Sequence, residues 1–264
     1  MIQVIGVSFS YPSADGGTTP AIDGVSLTIE EGESLGLMGA NSSGKTTLAR
    51  CLNALLVPTR GQVLVDGLDT RDQANHLAIR QKVGMVFQNP DNQLVSTTVE
   101  REIAFGLENL GVPHEEMHAR VDQALAEFDL ERYRNHPPHL LSGGEKQRLA
   151  LAAVMAMRPK YLILDEPTSL LDPKGREAIV AMIQRLHREE KPDAKVSTLL
   201  ISQYPEELLG VDRLLVMHKG RLVMEGPPGQ VFRQVERLHE LGLEPPVEYE
   251  LEHLFARHGL EWHA

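Results

Sequence analysis

The sequence predicts an α/β protein. Its parts are a core of parallel strands with crossover helices, a β-rich N-terminal subdomain, an inserted helical subdomain and a small C-terminal helical appendage. Three observations predict this. First, residues 33–38 read as a short strand that leads into a glycine-rich loop. Leu48, Leu52 and Leu55 then recur at helical spacing, giving strand, loop, helix. Second, helical spacing dominates from 98 to about 158, through Val99, Ile103, Leu107 and Leu110, then Val121, Leu125 and Phe128, then Leu149, Ala152, Ala153 and Ala156. Third, strand signals return at 161–164, 199–201 and 214–217, with Ile179, Ile183 and Leu186 marking a helix among them.

In chain order, residues 1–65 mix short β-rich runs with turns, and 13–19 reads as a loop. Residues 61–67 read as a strand ended by a turn, and 83–88 as another strand. Gly226-Pro227-Pro228-Gly229 marks a boundary, and Pro245-Pro246 a second break. Val231, Val235 and Leu238 suggest one amphipathic helix beyond it; Leu251, Leu254 and Phe255 suggest another. The expected division is a main domain over 1–225, with its helical insertion at about 90–158, and an appendage over 226–264.

The 264 residues carry a net charge of −11, which argues against a surface built to coat nucleic acid or anionic lipid. A hydrophobic content of 42% supports a sizeable core. One cysteine, Cys51, excludes an intramolecular disulfide, and its apolar neighbours suggest a packed thiol. The start, Met-Ile-Gln-Val, has no signal-peptide character. No apolar run reaches 18 residues, so membrane crossing is not expected.

The loop reads Gly39-Ala40-Asn41-Ser42-Ser43-Gly44-Lys45-Thr46, the pattern G-x-x-x-x-G-K-[ST], followed by Thr47. A triphosphate needs many donors, and a loop of glycine and small residues lets backbone N–H groups curl around it. The Lys45 ammonium suits the β- and γ-phosphates, and the Thr46 hydroxyl suits Mg²⁺. The helix start behind the loop adds free N–H groups and a positive dipole end. ATP with Mg²⁺ is therefore the expected ligand.

The apolar run from Tyr161 ends in Asp165-Glu166. Acids at a buried strand tip, on opposite sides, suit one to Mg²⁺ through its water shell and the other to the attacking water. Leu141-Ser142-Gly143-Gly144-Glu145 precedes a helix, where it reads either as an N-cap with a tight turn or as a second anion site.

With these motifs in this order, residues 2–225 resemble the ATP-binding-cassette ATPases, which have a P-loop NTPase core. Their signature ends in Gln, where this chain has Glu145. The resemblance implies that Tyr11 stacks on adenine and that Gln88 touches Mg²⁺ and senses the γ-phosphate. It implies that Asp172, in Ser169-Leu170-Leu171-Asp172, lies in a loop crossing a dimer interface. Ser142, Gly143, Gly144 and Glu145 would then act on the partner's ATP. A lone Tyr or Gln in a loop is ordinarily structural; order and spacing give these weight.

Phe87-Gln88-Asn89-Pro90-Asp91-Asn92-Gln93-Leu94, with residues 103–113 after it, is similar to the energy-coupling-factor subfamily. That likeness implies a motor subunit on the cytoplasmic face of the cell membrane. Its partners would be a second ABC ATPase, a transmembrane coupling protein and a membrane substrate-binding subunit. Nucleic acid is not expected. Asp91, Glu100 and Glu102 would meet basic groups of the coupling protein, or else form a solvated acidic face.

Two positions depart from the pattern: Ser42 stands where Gly is usual, and Gln203 where a γ-phosphate-contacting His is usual. Gln donates only a neutral hydrogen bond, about half as strong as a charge-assisted one. Slow hydrolysis with Glu166 and Gln203 as catalytic residues is expected. The alternatives are an ATP-gated structural partner of a second ATPase, a subunit of another ABC importer, and a soluble cassette protein. His114-Glu115-Glu116-Met117-His118 matches the zinc-protease pattern, yet it follows Pro113 in a polar helix with no apparent third ligand.

Overall fold

The computed structural model describes residues 1–13, 16–188 and 195–258. The expected 13–19 loop and the appendage each extend partly outside the described residues. The chain forms two compact units, Met1–Arg71 with Leu199–Ala264, and Asp72–Thr198.

The first unit opens with β1 (Ile2–Pro12) and β2 (Thr18–Ile29), an antiparallel pair whose register bulges between Val4 and Ser10. Val25, Leu27 and Ile29 are buried in alternation on β2, while on β1 the buried set passes from Ile2 and Val4 to Val7 and Phe9 across the bulge, which keeps the same face packed. Strand β3 (Ser34–Met38) is buried at every position and feeds the glycine-rich loop and α1 (Lys45–Leu52). Helix α1 stops before Leu55, which is 42% exposed, so only part of the expected leucine stripe is helical. Strands β4 (Arg60–Val65) and β5 (Leu68–Asp69) complete an antiparallel sheet in the order β2-β1-β4-β5.

The second unit begins with α2 (His76–Lys82), β6 (Val83–Val86), α3 (Val99–Asn109), α4 (His114–Glu127) and α5 (Gly143–Ala156). Then come β7 (Tyr161–Asp165) and α6 (Pro173–Arg188). Strands β6 and β7 pair in parallel. Ile103, Leu107, Leu125 and Leu149 are fully buried where α3, α4 and α5 pack. A Cβ on Gly84 would lie 2.5 Å from the Val154 side chain, so α5 sits directly on β6 only because that position is bare.

The unit division falls within β8 (Ser197–Ile201), the chain returning at Leu199 to the first unit. There β9 (Arg213–His218) pairs in parallel with β3 and antiparallel with β10 (Arg221–Gly226), a strand the periodicity did not signal. The appendage starts with α7 (Pro228–Phe232) and α8 (Val235–Glu240), two short helices where one was expected. Gln234, at ψ 52°, leaves helical geometry between them, and both pieces still bury their apolar residues. Helix α9 (Val247–Arg257) is as expected but buries no residue fully.

Candidate functional site

In the first unit, the loop 39–46 is shaped by backbone that few side chains tolerate. Gly44 has φ +106°, and a Cβ there would lie 2.4 Å from the Ala21 carbonyl oxygen. Gly44 is the N-cap of α1 and, having no side chain, makes no cap hydrogen bond to the helix start. Lys45 is buried, and its ammonium donates to the Gly39 and Ala40 carbonyls at 2.7 and 3.1 Å. Ser43 is 3% exposed, and among the described residues its Oγ has no hydrogen-bond partner. A buried hydroxyl in a glycine-rich loop ahead of a helix start suits an anion.

Tyr11 stands beside α1. Its hydroxyl is 3.1 Å from Thr47 Oγ1, and its ring meets Phe9 edge to face at 4.9 Å. Ser42 is exposed at φ +62°, which explains why glycine is the easier residue here: the cost lies in the backbone, not in crowding. Cys51 is fully buried, and burial pushes its thiol up to about 12, the packed thiol expected. Gln203 is exposed just beyond β8, in a turn braced by Ser202, whose hydroxyl donates to Glu207 at 2.6 Å.

In the second unit, β7 delivers Asp165 at its last position, 3% exposed. Glu166 follows at φ +50° and 8% exposed, so simple strand alternation does not set its direction. The Gln88 amide donates to Glu166 Oε2 at 2.9 Å, joining two of the predicted residues 78 positions apart. Ser169 holds the Glu166 carbonyl through both its N–H and its hydroxyl. A buried carboxylate in left-handed backbone is strained, and such strain clusters at functional positions.

The signature forms a capping box at the start of α5. The Ser142 hydroxyl accepts from the Glu145 N–H at 3.4 Å, and Glu145 Oε2 accepts from the Ser142 N–H and hydroxyl at 2.8 Å each. Glu145 Oε1 accepts from the Tyr133 hydroxyl and lies 3.6 Å from Arg132. The Tyr133 hydrogen bond, chiefly, holds the Glu145 carboxyl down at about 2. Tyr133 was not found from the sequence, because no spacing ties it to the signature. Asp172 caps the start of α6, its Oδ1 accepting from the Gly175 N–H at 3.0 Å.

The three expected partner-facing acids separate. Glu102 is 5% exposed, and its Oε2 accepts from the Val95 and Ser96 N–H groups at 2.9 and 2.6 Å. It holds a loop and offers no free surface charge, a correction to its expected docking role. Glu100 pairs with Arg134 at 2.6 Å and Asp91 with Lys146 at 2.7 Å, the latter acid remaining 61% exposed. Among the described residues no helix is long and apolar enough to cross a membrane.

Comparison with known proteins gives the family and the fold. A family described as ABC transporter matches residues 22–169. The energy-coupling factor transporter ATP-binding protein EcfA1 of Symbiobacterium thermophilum is 49% identical over 257 residues, covering 96% of this chain and 88% of that protein. EcfA1 of Caldanaerobacter subterraneus subsp. tengcongensis is 43% identical over 261 residues, covering 99% and 93%. Among solved structures, cbiO1 of Clostridium perfringens, described as part of the ABC transporter complex cbiONQ, superposes with a TM-score of 0.78 at 33% identity, covering 96% and 98%. The dimeric post-hydrolysis cassette MJ0796, bound to ADP and Pi, gives 0.77 at 29% identity, covering 86% and 99%. A glycine-shaped phosphate loop, a strained glutamate after the β7 aspartate and a capped Ser-Gly-Gly helix thus occur together in a chain that belongs to the ABC transporter family, as an ATPase subunit of the energy-coupling-factor type.

Proposed function

We propose that this subunit binds Mg-ATP and uses its hydrolysis to drive uptake of a micronutrient, a vitamin or a transition metal ion, through membrane partners. The phosphates rest on the N–H groups of residues 39–46 and on the Lys45 ammonium, with adenine on Tyr11. The Ser43 hydroxyl, buried without a partner among the described residues, supports an anion there. Thr46, Gln88 and Asp165 carry the oxygens that suit Mg²⁺, which when bound neutralises charge on the phosphate oxygens. Glu166 accepts the proton of the attacking water or orients it.

Two cassettes face head to tail, so that Ser142, Gly143, Gly144 and Glu145 of one act on the ATP of the other, with Asp172 in the loop at the interface. The exposed Asp91 and the Arg134-paired Glu100 lie on the face that meets the transmembrane coupling protein. A membrane substrate-binding subunit completes the complex on the cytoplasmic side. Gln203, lacking imidazolium charge, makes this subunit's own hydrolysis slow and favours pairing with a second, different ATPase.

The observation that carries the reading is Glu166 itself: buried, at φ +50° and bonded by Gln88 at 2.9 Å. Glu166→Gln should keep ATP binding and lower turnover at least about a hundredfold, the usual scale for a lost catalytic group. Gln203→His should raise turnover, on the order of tenfold to a hundredfold. Turnover unchanged by Glu166→Gln would sink the assignment of the base. Equal rates for the parent and the Gln203→His variant would sink the slow-site idea alone.

A further inference from the structure

Helix α4 opens with His114 and carries His118 one turn later, both side chains exposed. Their Nε2 atoms lie 3.1 Å apart, with ring centroids 4.3 Å apart and ring planes at 73°. Two exposed histidines one turn apart have rotamers that keep them separate in water. Here both turn the same nitrogen inward, one ring donating a proton that the other accepts. We propose that this pair is a chelating site for a divalent late-transition cation of the Ni²⁺, Zn²⁺ or Cu²⁺ class, which takes the place of the shared proton.

The distance supports the chemistry. Imidazole–metal bonds run about 2.0–2.1 Å. With 3.1 Å between the nitrogens, the N–metal–N angle is about 100°, between the right angle of octahedral coordination and the tetrahedral value. Each ring turns by about 40° so that its Nε2 lone pair meets the cation off the N···N line, and the donating ring shifts its proton to Nδ1. One helix backbone holds both ligands, so the second bond forms intramolecularly.

The charges nearby are settled. A cation at a helix N-terminus meets an unfavourable dipole, which Glu115 and Glu116 in the first turn oppose. Glu116 is bonded to Arg120 at 2.6 Å, and Asp122, one turn beyond His118, is bonded to Arg134. Among the described residues no group of three or more metal-binding side chains forms. The site is therefore a two-histidine clip with water in its remaining positions. That separates it from the zinc-protease reading of the same five residues and makes it a surface staple on the first turn of α4.

The test is calorimetric titration of the nucleotide-free full chain with NiCl₂ alone, beside His114→Ala, His118→Ala and the double variant. Alanine is the better helix former at both exposed positions, so the fold is retained, and circular dichroism checks it. The expected result is one Ni²⁺ per chain, with affinity falling at least about tenfold in each single variant and that site gone in the double variant. ATP turnover with Mg²⁺ as the only metal stays unchanged in all three. A double variant that binds Ni²⁺ with the parent's stoichiometry and affinity would overturn the proposal, as would single variants that lose nothing.

Discussion

At Ser42 the backbone sits at φ +62°, a region where an L side chain costs about 1 kcal/mol. The side chain is exposed, so its removal opens no cavity. Ser42→Gly should stabilise the chain by roughly 0.5 kcal/mol, the relief of strain exceeding the added freedom of the unfolded chain. Urea denaturation midpoints would show it; a less stable glycine variant would mean that the strain is not felt. Glu145 gives a second residue-scale expectation. Its carboxyl is held down at about 2 from an ordinary 4.5, first by the Tyr133 hydroxyl and then by Ser142 and Arg148, against the opposing effect of partial burial. The folded state therefore favours the ionised form. That stabilisation is complete above pH 4.5 and is lost as the pH falls toward 2. Glu145→Gln should flatten the acid side of the stability–pH curve in this window. A variant as acid-sensitive as the parent would show that other carboxylates set the acid limit.

At the scale of elements, α3 and the loop before it are joined by one carboxylate. Glu102 lies in the first turn of α3 yet reaches back to two N–H groups of the preceding loop. Its removal leaves Val95 and Ser96 without that acceptor, and a lost buried partner costs about 1–3 kcal/mol. Glu102→Ala should lower stability by that amount, whereas Asp91→Asn, at an exposed pair, should change it by less than about 1 kcal/mol. Equal effects would mean that Glu102 is not structural. The subfamily likeness implied Glu102 at a partner surface, with a solvated acidic face as the alternative; a carboxylate that folds back on its own chain leaves no periodic trace. The divided α7 and α8 have the same origin. Val231, Val235 and Leu238 share one helical period, but the turn at Gln234 preserves their burial while breaking the helix.

For the whole molecule, the α/β core and the glycine-rich loop were legible because strand–loop–helix alternation and fixed motif spacing are local in sequence. Strand β10 was not legible: its burial alternates, but it follows β9 by a two-residue turn, Lys219-Gly220, that was not read as a hairpin. The Tyr133–Glu145 bond was illegible for another reason, since only the folded path between α4 and α5 brings them together. A different ATPase is the favoured partner, yet in pairs of this chain with itself the same head-to-tail arrangement predicts complementation. Lys45→Ala and Ser142→Arg should each be inactive alone, the first without its phosphate grip and the second without its signature. Mixed, half of the pairs hold one intact composite site, so about a quarter of the parent's turnover should return. Mixing that restores nothing would count against a site shared by two copies of this chain.

Glu166 carries one more consequence. Its left-handed backbone suits asparagine better than glutamate, because a short amide tolerates that conformation. Relief of that strain is set against the loss of the Gln88 hydrogen bond, so a search that scores survival alone puts no value on the role proposed for Glu166.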